Sequence, residues 1–199
     1  MTDEHADGGH AADRRGRRRP WGPSYKPPEV DWDVTPRPAS ASAISLKQQT
    51  DVTDSNALGN VHGGVVMKLV DTAGGLAAMR HCGGPVVTVA MDEMVFMEPV
   101  FVGDVVTVQA MVNETFRTSL EVGVRVEAEN VYTGQKVHTS SAYLVYVALD
   151  RDGQPRPVPP VAAENEEQRQ RQREAKLRRE ARLAKKQAIL KACAERGEV

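Results

Sequence analysis

The sequence predicts an α+β domain in which an antiparallel sheet is laid against one long buried helix. Three observations carry this. The run from Gly63 to about His81 is apolar almost all round and too long for a strand. Four later segments have strand length and alternating or clustered apolar residues. The links between those four are short, and short links make sequential strands antiparallel neighbours.

In chain order, Ala43–Thr50 holds the alternating pair Ile44 and Leu46 and reads as a strand. Residues 51–62 read as a loop, rich in Asp51, Asp54, Ser55, Asn56, Gly59 and Asn60. The helix follows, apolar almost all round with Val65, Val66, Met67, Leu69, Val70, Ala73, Leu76, Ala77, Ala78 and Met79. Gly83-Gly84-Pro85 ends it. Val86–Met97 is the next strand, its alternation disturbed at Asp92-Glu93 as at a bulge. Asp104–Glu114 follows. Leu120–Ala128 is the cleanest, with Leu120, Val122, Val124, Val126 and Ala128 on one face and Glu121, Arg125 and Glu127 on the other. Thr133-Gly134-Gln135 marks a hairpin into Lys136–Leu149.

The flanks have a different composition. Residues 1–40 carry Arg14, Arg15, Arg17, Arg18 and Arg19 and six of the twelve prolines, and read as a disordered leader on which Trp21, Tyr25 or Trp32 could dock. Residues 151–163, with Pro155, Pro157, Pro159 and Pro160, read as a linker unable to extend the sheet. Residues 164–199 read as a separate charged C-terminal helix with a thin stripe of Leu177, Ala181, Ala184 and Ala188, and Leu183 and Leu190 a heptad apart. Such a helix is expected to lie solvated; weak packing on a neighbour or binding of an acidic partner is the alternative.

The 199 residues carry a formal net charge of −1, which excludes a globally basic nucleic-acid binder. The near-neutral total hides a contrast. Residues 41–163 hold eight basic and thirteen acidic side chains, whereas residues 164–199 hold eleven basic and seven acidic. Nucleic acid is therefore not expected on the body and stays open for the basic tails. Cys82 and Cys193 are far apart and suit a reducing compartment, the cytosol. No apolar run is long enough to span a membrane, and the Arg-rich start lacks the apolar core of a signal peptide.

P-loop, GxSxG, HExxH and CxxC patterns are all missing, and His62, His81 and Cys82 lack a further ligand pair for zinc. Gly74-Gly75 lies inside the helix pattern, where each glycine costs about 1 kcal/mol against Ala; close approach of another backbone is the expected reason. Asp71 is the informative residue, an acid within an apolar helix. It must be paired, for example with Lys68, or have work to do. Gly63-Gly64 at the helix start leaves free N–H groups and the positive end of the helix dipole open to an electron-rich oxygen. Asp71 follows Gly63 by eight residues, roughly 12 Å along the axis and nearly on the same side.

The stretch Asp54-Ser55-Asn56-Ala57-Leu58-Gly59-Asn60-Val61-His62-Gly63-Gly64, running on to Asp71, resembles the hot-dog-fold acyl-CoA thioesterases. Within them it is most similar to the acyl-CoA hydrolase subfamily of bacterial short-chain and brain-type cytosolic enzymes. Val86–Val89, Phe96–Val100, Val102–Val105 and Arg117–Ser119 agree, and the resemblance covers about residues 43–160.

The resemblance implies a hot-dog fold, dimers joined edge to edge and often gathered into hexamers, here a trimer of dimers, and active sites formed between protomers. It carries the catalytic positions onto Asn56 and Asp71, from opposite subunits, with the Gly64 N–H, aided by Gly63, receiving the thioester oxygen. His62 falls at the turn before the helix and counts among the substrate-contacting residues. Arg117, Thr118, Ser119 and Thr88 are candidates for contacts to coenzyme A. The implied reaction hydrolyses a fatty acyl-CoA to free acid and coenzyme A, with Asp71 as general base or nucleophile and no cofactor beyond the coenzyme A of the substrate. Two alternatives stand beside it. One is a non-catalytic acyl-CoA-binding module signalling through its basic tails. The other is a hot-dog hydratase or dehydratase, for which His62 and Asp71 are not in the expected arrangement.

Overall fold

The computed structural model describes residues 33–196. The Arg run and Trp21, Tyr25 and Trp32 lie outside the described residues. The elements are β1 (Arg37–Pro38), β2 (Ile44–Gln49), α1 (Gly63–Cys82), β3 (Val86–Phe96), β4 (Val105–Thr115), β5 (Ser119–Glu129), β6 (Lys136–Ala148), β7 (Val161–Ala162) and α2 (Glu166–Glu195).

β2, β4, β5, β6 and β3 form one antiparallel sheet in that spatial order, which leaves β2 and β3 at the edges. The alternation of β5 is realised in three dimensions: Leu120, Val122, Val124, Val126 and Ala128 are buried beneath α1 with Val66, Val70, Ala73 and Ala77. Each of these Leu and Val side chains contributes about 1.5–3 kcal/mol on burial, and each alanine less. β3 carries two register shifts against β6, one between Thr88 and Ala90 and one between Met91 and Glu93, so the expected irregularity is doubled. Gly83 ends α1 in the left-handed conformation, φ 68°, where the lack of a Cβ removes the strain.

The structure corrects three expectations. First, α1 is only half covered within one chain. Val66, Val70, Ala73, Gly74, Ala77 and Ala78 are buried, while Met67, Lys68, Asp71, Thr72 and Met79 are exposed. Period 3.6 gives the helix two sides, and a single sheet covers one of them. Second, the body begins before residue 41. Arg37 and Pro38 pair in parallel with Val161 and Ala162, Ala39 is buried, and Ser42 donates to the Ala39 carbonyl. Arg37 and Arg156 donate to the His81 and Cys82 carbonyls and so satisfy the C-terminal end of α1. The proline-rich segment is thus a clamp on the helix end as well as a connection. Burial there pushes the Cys82 thiol up to about 11, so it is a protonated core residue at neutral pH. Burial also lowers His81, whose Nε2 lies 2.9 Å from the Pro159 carbonyl.

Third, α2 is docked on its own sheet and not solvated. It lies on the face opposite α1. Arg178 reaches the fully buried Glu121 carboxylate at 2.7 Å and stacks on the Tyr143 ring at 3.6 Å. Lys176 pairs with Glu114, Arg182 with Asp92, and Arg179 covers Phe116. The acidic partner of the basic helix is therefore the acidic face of the same chain. The contact runs through Ala175, Arg178 and Arg182, while Leu177, Leu183 and Leu190 remain exposed.

Candidate active site

Asp71 sits midway along α1 on the side the sheet leaves open. The Thr88 hydroxyl donates to its Oδ1 at 2.7 Å. The Tyr146 hydroxyl donates to the Asp71 carbonyl oxygen at 3.1 Å, with Oδ1 at 3.4 Å. Thr88 and Tyr146 are register partners on β3 and β6, so the sheet presents both hydroxyls to one carboxylate. Burial first, and then the Asp71 charge, hold the Tyr146 hydroxyl above its ordinary range, so it stays a proton donor at neutral pH.

Tyr146 was not legible as a site residue, since in sequence it is one more large side chain in a strand. The signal lay in the glycine pair of α1. A Cβ on Gly74 would overlap the Tyr146 hydroxyl oxygen and lie 3.2 Å from its Cζ. The partner that requires Gly74 is thus a tyrosine side chain, where a second backbone was expected.

The other half of the motif is built at the start of α1. Asp51 caps a short 3-10 turn, Val52–Asp54, through a reciprocal capping box. The following loop is tied by antiparallel bridges from Ser55 to Val61 and from Asn60 to Phe101. Asn56 Oδ1 accepts from the N–H groups of Leu58 and Asn60 at 2.8 and 3.3 Å. With that oxygen used by the loop, the amide NH2 is the part of Asn56 left for a ligand. His62 is the N-cap of α1, and its Nδ1 accepts from the Gly64 N–H at 2.9 Å. The Gly64 N–H is therefore engaged in this structure, whereas the Gly63 N–H has no partner among the described residues.

A cleft of about 360 Å³ is lined by Asn56, Asn60, Gly63, Val66 and Phe96, with Met97–Val100 at its rim. Asp71 does not line it. The structure thus brings Asn56 together with the helix start, and Asp71 with Thr88, as two separate groups on one chain. A larger groove of about 490 Å³, lined by Gln109, Asn113, Arg125, Tyr143 and Arg171, lies on the opposite, α2 face of the sheet. Arg117, Thr118 and Ser119 form the β4–β5 turn. Ser119 and Val87 both pair with Val147, so the turn lies one residue row beyond Thr88 and, at about 4.8 Å per strand, roughly 10 Å across the sheet. Among the described residues no group of three His, Cys, Asp or Glu side chains could hold a metal ion, and no helix is long and apolar enough to cross a membrane.

Comparison with known proteins matches this geometry to a family. Residues 58–135 match the model of the thioesterase superfamily. Over 109 residues the chain is 38% identical to acyl-CoA thioester hydrolase YciA of Salmonella typhimurium, covering 53% of this chain and 82% of that one. It is 34% identical over 154 residues to the cytosolic acyl coenzyme A thioester hydrolase of Mus musculus, covering 76% of this chain but only 40% of the mouse protein. A solved hexameric acyl-CoA thioesterase superimposes with a TM-score of 0.74 at 36% identity, over 79% of this chain and 99% of that one. The chain therefore belongs to the hot-dog acyl-CoA thioester hydrolases of the thioesterase superfamily.

Proposed function

We propose that this protein hydrolyses acyl-CoA thioesters to a free acid and coenzyme A. The observation that carries the reading is the Asp71 carboxylate, held by hydroxyl donors on the open side of a glycine-started helix, in a chain of this family. Asp71 takes a proton from water as the water oxygen bonds to the thioester carbonyl carbon. The carbonyl oxygen becomes an oxyanion, received by the Gly63 N–H, by the Asn56 NH2 and, once His62 turns aside, by the Gly64 N–H. Collapse breaks the C–S bond, and the proton held on Asp71 passes to the leaving thiolate. Water is the only co-reactant the balance requires.

Asn56 and Asp71 occupy separate half-sites, which supports a site completed by a second copy. Solved variants of the acyl-CoA hydrolase of Staphylococcus aureus replace an asparagine, an aspartate and a threonine with alanine, at the same intervals that separate Asn56, Asp71 and Thr88. That protein is also known bound to butyryl coenzyme A and coenzyme A. These facts support Asn56, Asp71 and Thr88 as site residues and a coenzyme A thioester as substrate. Arg117, Thr118 and Ser119 supply a cation and two hydroxyls at the same end of the sheet for its phosphates. The hexameric relatives support a hexamer, read here as a trimer of dimers, and the named cytosolic mouse relative supports a cytosolic setting.

The test is free-thiol release from acyl-CoAs of two to eighteen carbons by the wild type and by Asp71→Ala. Wild-type turnover should fall by about 100-fold or more in the variant, with the oligomer unchanged. Tight acyl-CoA binding by the wild type without thiol release refutes hydrolysis and leaves a binding module.

A further inference from the structure

The geometry points to Tyr146 as a positioning residue for the hydrolysis: its hydroxyl, passed through the gap at Gly74, locks the Asp71 carboxylate in the orientation that takes a proton from water. This rests on the reading of Asp71 as the base and adds a residue to it. Tyr146 is buried to 1% exposure, yet its hydroxyl reaches the base of an exposed carboxylate on the open side of α1. Only a residue without a side chain at position 74 allows this, because a Cβ there would occupy the place of the hydroxyl oxygen. Gly75 is not required in the same way: a Cβ there would lie 3.8 Å from Tyr146 Cε1, an ordinary contact.

A free aspartate on a helix surface turns about two side-chain bonds. Here the single Tyr146 proton is shared between the Asp71 carbonyl and Oδ1, so one donor ties the side chain to its own backbone. Thr88 holds the same Oδ1 from β3. With two donors directed at Oδ1, Oδ2 is the oxygen presented to water. Burial holds the Tyr146 hydroxyl in its protonated, donating form. Gly74 in α1, which helix propensity alone disfavours, is explained by the same contact.

The experiment compares thiol release by the wild type, Tyr146→Phe, Gly74→Ala and the double variant, with a melting curve and oligomer size for each. Tyr146→Phe keeps the ring and removes the donor. Its kcat should fall roughly 10-fold to 100-fold, with KM changed less than about twofold, since the tyrosine touches the base and not the substrate. Gly74→Ala displaces the hydroxyl and should lower kcat to a similar degree. The double variant should be little worse than either single one, because both remove one interaction. Full kcat in a folded Tyr146→Phe, or additive losses in the double variant, overturns the positioning role while leaving the hydrolase reading intact. A wild type that binds acyl-CoA without turnover overturns both.

Discussion

At the scale of single residues, the site is made by small side chains that admit larger ones. Gly74 admits Tyr146, and Gly63 sits against the Phe96 ring, 3.5 Å from its own Cβ position. His62 works differently. It occupies an N-cap position usually held by Ser, Thr, Asn or Asp, and uses Nδ1 to take the Gly64 N–H. His62→Ala should therefore cost about 1 kcal/mol of folding stability, and His62→Ser should recover most of it, as measured by urea unfolding. Equal stability of the Ala variant and the wild type would show that water caps the helix as well as the imidazole does. Asp71 stood out because an acid in an apolar run is costly where it stands, whereas Asn56, an ordinary turn residue in its loop, stood out only through the family resemblance. Tyr146 did not, because a strand holds aromatic side chains for packing alone.

At the scale of elements, α2 is where sequence and structure part most. Its composition describes a solvated helix, and its apolar stripe names Leu177, Leu183 and Leu190, all of which stay exposed. The docking face is chosen by charge. Glu121 belongs to the outward row of β5 and would face water if α2 did not cover it. It is instead fully buried, accepting from Arg178 and from Asn113 Nδ2 at 3.1 Å. Removing one partner of such a pair strands the other. Arg178→Ala should cost about 3–5 kcal/mol, whereas the joint exchange Arg178→Met with Glu121→Gln should cost much less. Denaturant unfolding of both variants decides this, and a loss below about 1 kcal/mol in Arg178→Ala would mean that α2 leaves the sheet and Glu121 rehydrates. The bulged β3 joins this element to the site: Arg182 of α2 pairs with Asp92 of β3, on the strand that carries Thr88.

At the scale of the whole molecule, Asp71 and the cleft that holds Asn56 are separate on one chain. α1 leaves Met67, Asp71 and Met79 exposed, and β3 ends its sheet with Val89, Val95 and Phe96 exposed. An open edge strand and a half-covered helix on one molecule are what a second copy would cover. If Asn56 of one protomer serves Asp71 of its partner, then Asn56→Ala and Asp71→Ala, each inactive alone, should complement when the two chains are co-expressed. Random pairing makes half the dimers mixed, with one intact site of two, so activity should return to roughly a quarter of wild type. No recovery in verified mixed dimers would place both residues of each site on one chain.

The division between what was readable in the linear chain and what was not follows the range of the interactions. By itself the sequence determined the strand–helix–strand order, the inner row of β5, the glycine stop of α1 and the presence of an acid, Asp71, within an apolar helix. Each of these is set by periodicity, turn chemistry or a residue out of place within a few positions. The tertiary structure alone decided which side of α1 stays open, why Gly74 must be glycine, and that the proline-rich segment clamps the helix end. It also decided that the basic helix closes over the acidic face of its own sheet. Those outcomes depend on groups far apart in the chain, such as Tyr146 with Asp71 and Arg178 with Glu121, and a one-dimensional pattern holds no record of which distant partner a side chain will meet.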